Sequence, residues 1–120
     1  MQPVNIAQKL ALFSDHFSPK IVGELNENYV KLAKFQGNFV WHHHENEDEL
    51  FLVIKGKFTM KLRSGDVEIK AGEFFIVPRG VEHCPSAQEE VQIMLIEPKT
   101  TLNTGNINNE RTIAELQRIL

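Results

Sequence analysis

An all-β domain, either a sandwich or a closed barrel, is the fold class this sequence predicts, and three observations predict it. From about Tyr29 to Glu97 short apolar runs alternate with turn signals, namely Gly37, Gly56, Ser64-Gly65-Asp66, Gly72, Pro78-Arg79-Gly80 and finally Pro98. Within that stretch KFTMKLR-SGD-VEIKAG reads as a hairpin, with Gly65 able to take positive φ in the turn. The run ELFLVI, Glu49 to Ile54, is apolar at both parities. As a strand it puts Glu49, Phe51 and Val53 on one face and Leu50, Leu52 and Ile54 on the other. A strand apolar on both faces is usually covered on both. In so small a barrel the outer face needs a terminal helix or a second subunit, so a homodimer is expected.

The flanks differ in texture. Residues 1–28 form an N-terminal segment in which Ile6, Leu10 and Phe13, three or four apart, predict a short amphipathic helix. Residues 29–98 are the barrel. Residues 99–120 start as a polar, turn-rich arm, TTLNTGNINNERT. Thr112 and Glu115 then match a capping box, and Ile113, Leu116 and Leu120 predict a short C-terminal helix.

The bulk properties bound the function. A length of 120 residues fits one domain, and 42% apolar with 24% charged residues is an ordinary soluble composition. A net charge of -3 argues against nucleic acid as partner, since phosphate binding needs a basic surface. No apolar run approaches the ~20 residues of a membrane span, and the N-terminus does not read as a secretory signal. The lone cysteine, Cys84, allows no internal disulfide, so a cytoplasmic location is expected.

Chemistry concentrates at the histidines. In FVWHHHENEDELF, strand alternation turns His42 and His44 the same way, about 7 Å apart, and turns His43 and Trp41 to the opposite face, toward a dimer surface. After the ENED turn, Glu49 can fold back beside the two imidazoles, and His83, following the Pro78-Arg79-Gly80 turn, can arrive from a distant strand. Three imidazoles and one carboxylate suit Fe, Mn, Ni, Zn or Cu as a divalent ion and select none of them. Such an ion keeps open positions for a ligand. Taken singly, each residue has another reading: an exposed strand histidine, a solvated loop carboxylate or a hydrogen-bonded turn residue.

The ordered spacing resembles the two motifs of the cupin superfamily. In the first, His42-His43-His44 supplies His-x-His, four residues lead to Glu49, and six more lead to Gly56. In the second, Gly72 is followed by five residues, Pro78-Arg79-Gly80, two residues and His83. Fifteen residues separate the motifs, as in the compact microbial members. Two positions depart: four residues, not five, separate Gly37 from His42, and Ala87 replaces the closing Asn. The resemblance implies a double-stranded β-helix, a jelly-roll-like barrel with short terminal helices. It also implies one divalent metal ion on His42, His44, Glu49 and His83.

Function stays open between two classes. One is a metal-dependent enzyme on a small organic substrate, with a dioxygenase type leading and a cupin isomerase as a variant. The other is a non-catalytic module that binds or senses a small ligand. Phe51 and Gln92 are candidate pocket residues. Arg79 could clamp a carboxylate or be a surface turn residue, and Glu82 could accept from a ligand imidazole or be solvated. Cys84 reads as a buried inert thiol, with a redox thiol or a fifth ligand as alternatives. His16 has no partner evident in the sequence.

Overall fold

Alternation along the strands builds the molecule. The computed structural model describes all 120 residues. One short helix, α1 (Ile6–Leu10), precedes seven strands: β1 (Lys20–Leu25), β2 (Asn28–Asn38), β3 (Glu49–Lys55), β4 (Lys57–Leu62), β5 (Val67–Lys70), β6 (Phe74–Val77) and β7 (His83–Pro98). Every pairing is antiparallel, along the path β1-β2-β7-β3-β6, with the β4–β5 hairpin joined to β7. The long β7 is the hub: Gln92 to Ile96 pair with β3, while His83 to Ser86 pair with β4. Because β3 and β4 run on from one another through Gly56 yet grip different stretches of β7, the sheet folds over into a barrel.

The inward side chains of β2 to β7 meet in one core that includes Ala33, Phe35, Phe51, Val53, Phe58, Met60, Ile69, Val77, Val91, Ile93 and Leu95. The Val, Leu, Ile, Phe and Met side chains among them each contribute roughly 1.5–3 kcal/mol by leaving water. Glu49, Phe51 and Val53 face inward as their parity requires, and Leu50, Leu52 and Ile54 are half-buried on the other face. Part of that outer face is covered: Leu10 of α1 packs with Val22 and Leu32, and Ile54, Met94 and Ile119 close around them. Five residues cannot hold a helix alone. The Asn5 side chain caps α1 by accepting from Gln8 N–H at 2.9 Å, and Leu10 anchors it.

Three expectations need correction. The sheet begins at Lys20, upstream of Tyr29, because β1 pairs with β2. The stretch around His42–His44 is not a regular strand; it makes a single antiparallel bridge, His42 to His83. The C-terminal helix does not form, and residues 112–120 are irregular. Thr112 Oγ1 is drawn to Thr104 Oγ1 at 2.6 Å and to Asn109 N–H at 3.0 Å. Downstream, the chain pairs along the β1 edge: Ile21 N–H donates to Gln117 O at 2.9 Å, and Ile119 N–H donates to Ile21 O at 3.0 Å. Nine residues have little helical stability of their own, so the open sheet edge wins. No helix is long and apolar enough to cross a membrane.

Candidate metal centre

Four motif side chains converge at one end of the barrel. His42, His44, Glu49 and His83 are all buried, and one donor atom from each lies within 4.8 Å of the others. Backbone hydrogen bonds place them. His42 and His83 exchange N–H to O bonds of 3.0 and 2.9 Å across their bridge. The Pro78-Arg79-Gly80 turn hooks onto the same stretch, because Gly80 N–H donates to His44 O at 2.7 Å. On the other side Asn106, in the C-terminal arm, holds His43 twice. Its Oδ1 accepts from His43 N–H at 2.8 Å and its N–H donates to His43 O at 3.0 Å. Gly105 lets the arm come this near: a Cβ there would lie 2.2 Å from His43 O and 3.0 Å from His42 Cδ2, and its φ is +55°.

The electrostatics favour a cation. His42 Nδ1 donates to Val40 O at 2.8 Å and His83 Nδ1 to Val81 O at 2.9 Å, which leaves each Nε2 as a lone-pair donor. Burial, then the neighbouring His83, pulls His42 down to about 4, so its ring is neutral at ordinary pH. His44 Nε2, His83 Nε2 and Glu49 Oε1 are buried with no hydrogen-bond partner. Glu49 Oε1 nevertheless lies 2.9 Å from His44 Nε2 and 3.1 Å from His83 Nε2. Three orphaned acceptors aimed at one point cost free energy in an apolar interior, and a divalent ion would satisfy all of them. The residues therefore fit a metal site.

A second layer was missed by the sequence reading. Glu97 and Lys31 are buried inside the barrel and pair at 2.6 Å. Burial would raise Glu49, but a hydrogen bond from Glu97, with the His44 and His83 imidazoles, outweighs it and holds Glu49 well below its ordinary range. Burial and the Glu49 charge push Glu97 well above its own, against the pull of Lys31. Glu97 Oε2 is buried without a hydrogen-bond partner. Parity could have revealed Glu97, which lies on the face of Val91, Ile93 and Leu95.

The remaining candidates divide. Phe51 packs edge-on to His83, with ring centroids 6.4 Å apart. Gln92 alternates with buried Val91 and Ile93 and faces away from the core. Arg79 is exposed and pairs with Asp48 at 3.6 Å. Glu82 is exposed and meets Arg63 at 3.5 Å, while backbone carbonyls take the imidazole N–H groups it was expected to accept from. Trp41 carries the Arg63 guanidinium 3.8 Å from its ring centroid, and Asn106 holds the His43 backbone. Cys84 is buried, and burial raises its thiol pKa. His16 does have a partner, Glu90 at 2.7 Å.

An antiparallel barrel with three buried imidazoles and one buried carboxylate gathered together defines a class of β-barrel proteins whose donor set fits a metal ion. Residues 28–97 match the family model described as a cupin domain, and the chain belongs to the cupin family. A solved structure of a cupin-2 domain containing protein from Shewanella frigidimarina NCIMB 400 is 43% identical, covers 80% of this chain and 94% of its own, and superposes with a TM-score of 0.79. The uncharacterized protein YdbB of Bacillus subtilis is 35% identical over 63 residues, 52% of this chain and 56% of its own length. The putative dioxygenase SSO1533 of Saccharolobus solfataricus is 28% identical over 105 residues, 85% of this chain but 27% of its own length. The chain thus spans about half of the one curated relative and about a quarter of the other.

Proposed function

We propose that His42, His44, Glu49 and His83 hold one divalent ion of the Fe, Mn, Ni, Zn or Cu group, and that the chain is a metal-dependent enzyme of the dioxygenase type acting on a small organic molecule. The carrying observation is the set of orphaned donors, His44 Nε2, His83 Nε2 and Glu49 Oε1. The likeness to a putative dioxygenase supports the reaction class. A bound ion would supply Lewis acidity or a redox centre for dioxygen. The chain's own residues do the rest. Val40 O and Val81 O fix the imidazole tautomers, Phe51 packs against His83, and Glu97, paired with Lys31, faces the same cavity as Glu49.

Two further parts of this reading concern assembly and place. The uncovered sheet face around Leu50 and Leu52, continued by exposed Phe74 and Ile76, supports a homodimer. The free, buried Cys84 thiol fits a reducing cytoplasm. Oxygen uptake by protein loaded with Fe(II), measured against diketones, catechols and flavonols, tests the activity. Substrate-dependent uptake that disappears in Glu49→Ala is expected. Stoichiometric metal with no uptake on any of these would leave a ligand-binding module, and no metal at all would remove the centre.

A further inference from the structure

One buried ion pair lies outside the donor set. Lys31 and Glu97 stand inside the barrel, 2% and 3% exposed, with Nζ and Oε1 2.6 Å apart. Their surroundings on the same inward faces are apolar, with Ala33 and Phe35 on β2 and Ile93 and Leu95 on β7. Apolar side chains of similar volume in place of such a pair often leave a protein as stable or more stable. Packing alone therefore gives no reason for the two charges.

Lys31 has water within reach. A groove of about 490 Å³ includes Lys31 in its lining, with Tyr29, Lys99, Thr101 and Arg118. Lysines in such places usually keep the ammonium in solvent, yet Lys31 turns it to Glu97. Glu97 in turn lines a cavity of about 30 Å³ shared with His42 and Glu49, two of the four donors. It is the one ionisable group of that cavity outside the donor set. Lys31 takes Glu97 Oε1, so Oε2, buried without a hydrogen-bond partner, is the oxygen left for the cavity. The pair thus runs from the outer groove to the donors.

We propose that Lys31 and Glu97 are positioning residues of the metal centre. Lys31 pins the Glu97 carboxyl, which sets how Glu49 presents its own carboxyl to the two imidazoles beside it. Glu49 Oε1 lies 2.9 Å from His44 Nε2 and 3.1 Å from His83 Nε2. Neither Lys31 nor Glu97 is a donor; both act through Glu49. This rests on the metal reading above for its object, and it adds two residues that stand at no position of the two motifs.

Co(II) binding by the full chain tests it, read as affinity by chelator competition and as the visible absorption of the loaded protein, which reports donor geometry. Thermal unfolding of the metal-free protein is the stability control. Glu97→Gln keeps a carbonyl for Lys31 and an N–H for Glu49, so affinity and absorption should stay as in wild type. Glu97→Asp keeps the charge but withdraws it; it should weaken Co(II) about tenfold, the low end for outer partners, and shift the absorption. Lys31→Met combined with Glu97→Leu should weaken Co(II) roughly 10–100-fold. That metal-free double variant should still unfold at the wild-type temperature or above. If it folds poorly, Glu97→Gln and Glu97→Asp decide. Wild-type affinity and absorption in Glu97→Asp and in the double variant overturn the proposal. So does a loss in Glu97→Gln equal to that in Glu97→Asp, because charge and not placement would then be at work. A wild-type protein that takes up no Co(II) sinks the metal reading and the proposal with it, whereas Co(II) uptake indifferent to every variant sinks the positioning alone.

Discussion

Residues 28–97 and the two terminal segments meet at the same site with different tasks. The barrel segment supplies all four donors, each from a motif position and each buried. The termini supply none, yet Phe17 and Asn103 line the cavity beside the donors, while Gly105 and Asn106 of the C-terminal arm pack against His43. The barrel supplies a donor set that fits a metal ion, whereas the C-terminal arm braces the backbone that carries two of the donors.

The sharpest way to break this division is at a donor. His44→Ala should lower metal affinity roughly 1,000-fold, beyond the 10–100-fold typical of outer partners, as read by metal content after dialysis. Stoichiometric uptake by the variant would move the donor set elsewhere.

A pH titration of the metal-free protein probes the barrel side further. The folded state depresses His42 from 6.5 to about 4, so the unfolded chain takes up the proton first. The His42 contribution is then complete above about pH 6.5 and is lost as pH falls toward 4, worth on the order of 3 kcal/mol. Glu97, pushed upward, titrates in the opposite sense. The quantity to measure is therefore the difference between wild type and His42→Asn in urea unfolding at pH 7 and pH 4.5. A pH-independent difference would refute the assignment.

The arm side should give smaller effects. Gly105→Ala forces a Cβ to within 2.2 Å of His43 O. It should cost about 2 kcal/mol of stability and about tenfold in metal affinity, although Gly105 lies outside the barrel segment. Asn106→Ala removes one side-chain bond to His43 N–H and should cost about 1 kcal/mol. Unchanged metal affinity in both variants would confine the centre to the barrel.

How far the sequence could be read depended on the range of the interaction. Strand parity gave the inward Glu49, Phe51 and Val53, and the turn residues gave the β4–β5 hairpin, because those patterns act within a few residues. The departure at Gly37 is absorbed locally too, by a bulge between Phe35 and Gly37 where β2 meets β7. The C-terminal helix failed because its local signal competed with a distant partner, the free edge of β1. Arg79 and Glu82 stand out by nearness to His83 in the chain, and Gln92 as the one polar side chain in Val91 to Ile96. Parity and loop direction turned them outward.

By itself, then, the sequence determined an all-β chain with four ordered donors, since alternation, turn chemistry and motif spacing are local or nearly so. Only the tertiary structure decided that the donors meet within 4.8 Å, that Glu97 and Lys31 are buried as a pair inside the barrel, and that Arg111 comes to 5.3 Å from the Phe17 ring. Those contacts join residues 66 and 94 positions apart. No local pattern encodes such pairs; they form because the folding of the sheet across β7 brings both ends of the chain to one mouth of the barrel.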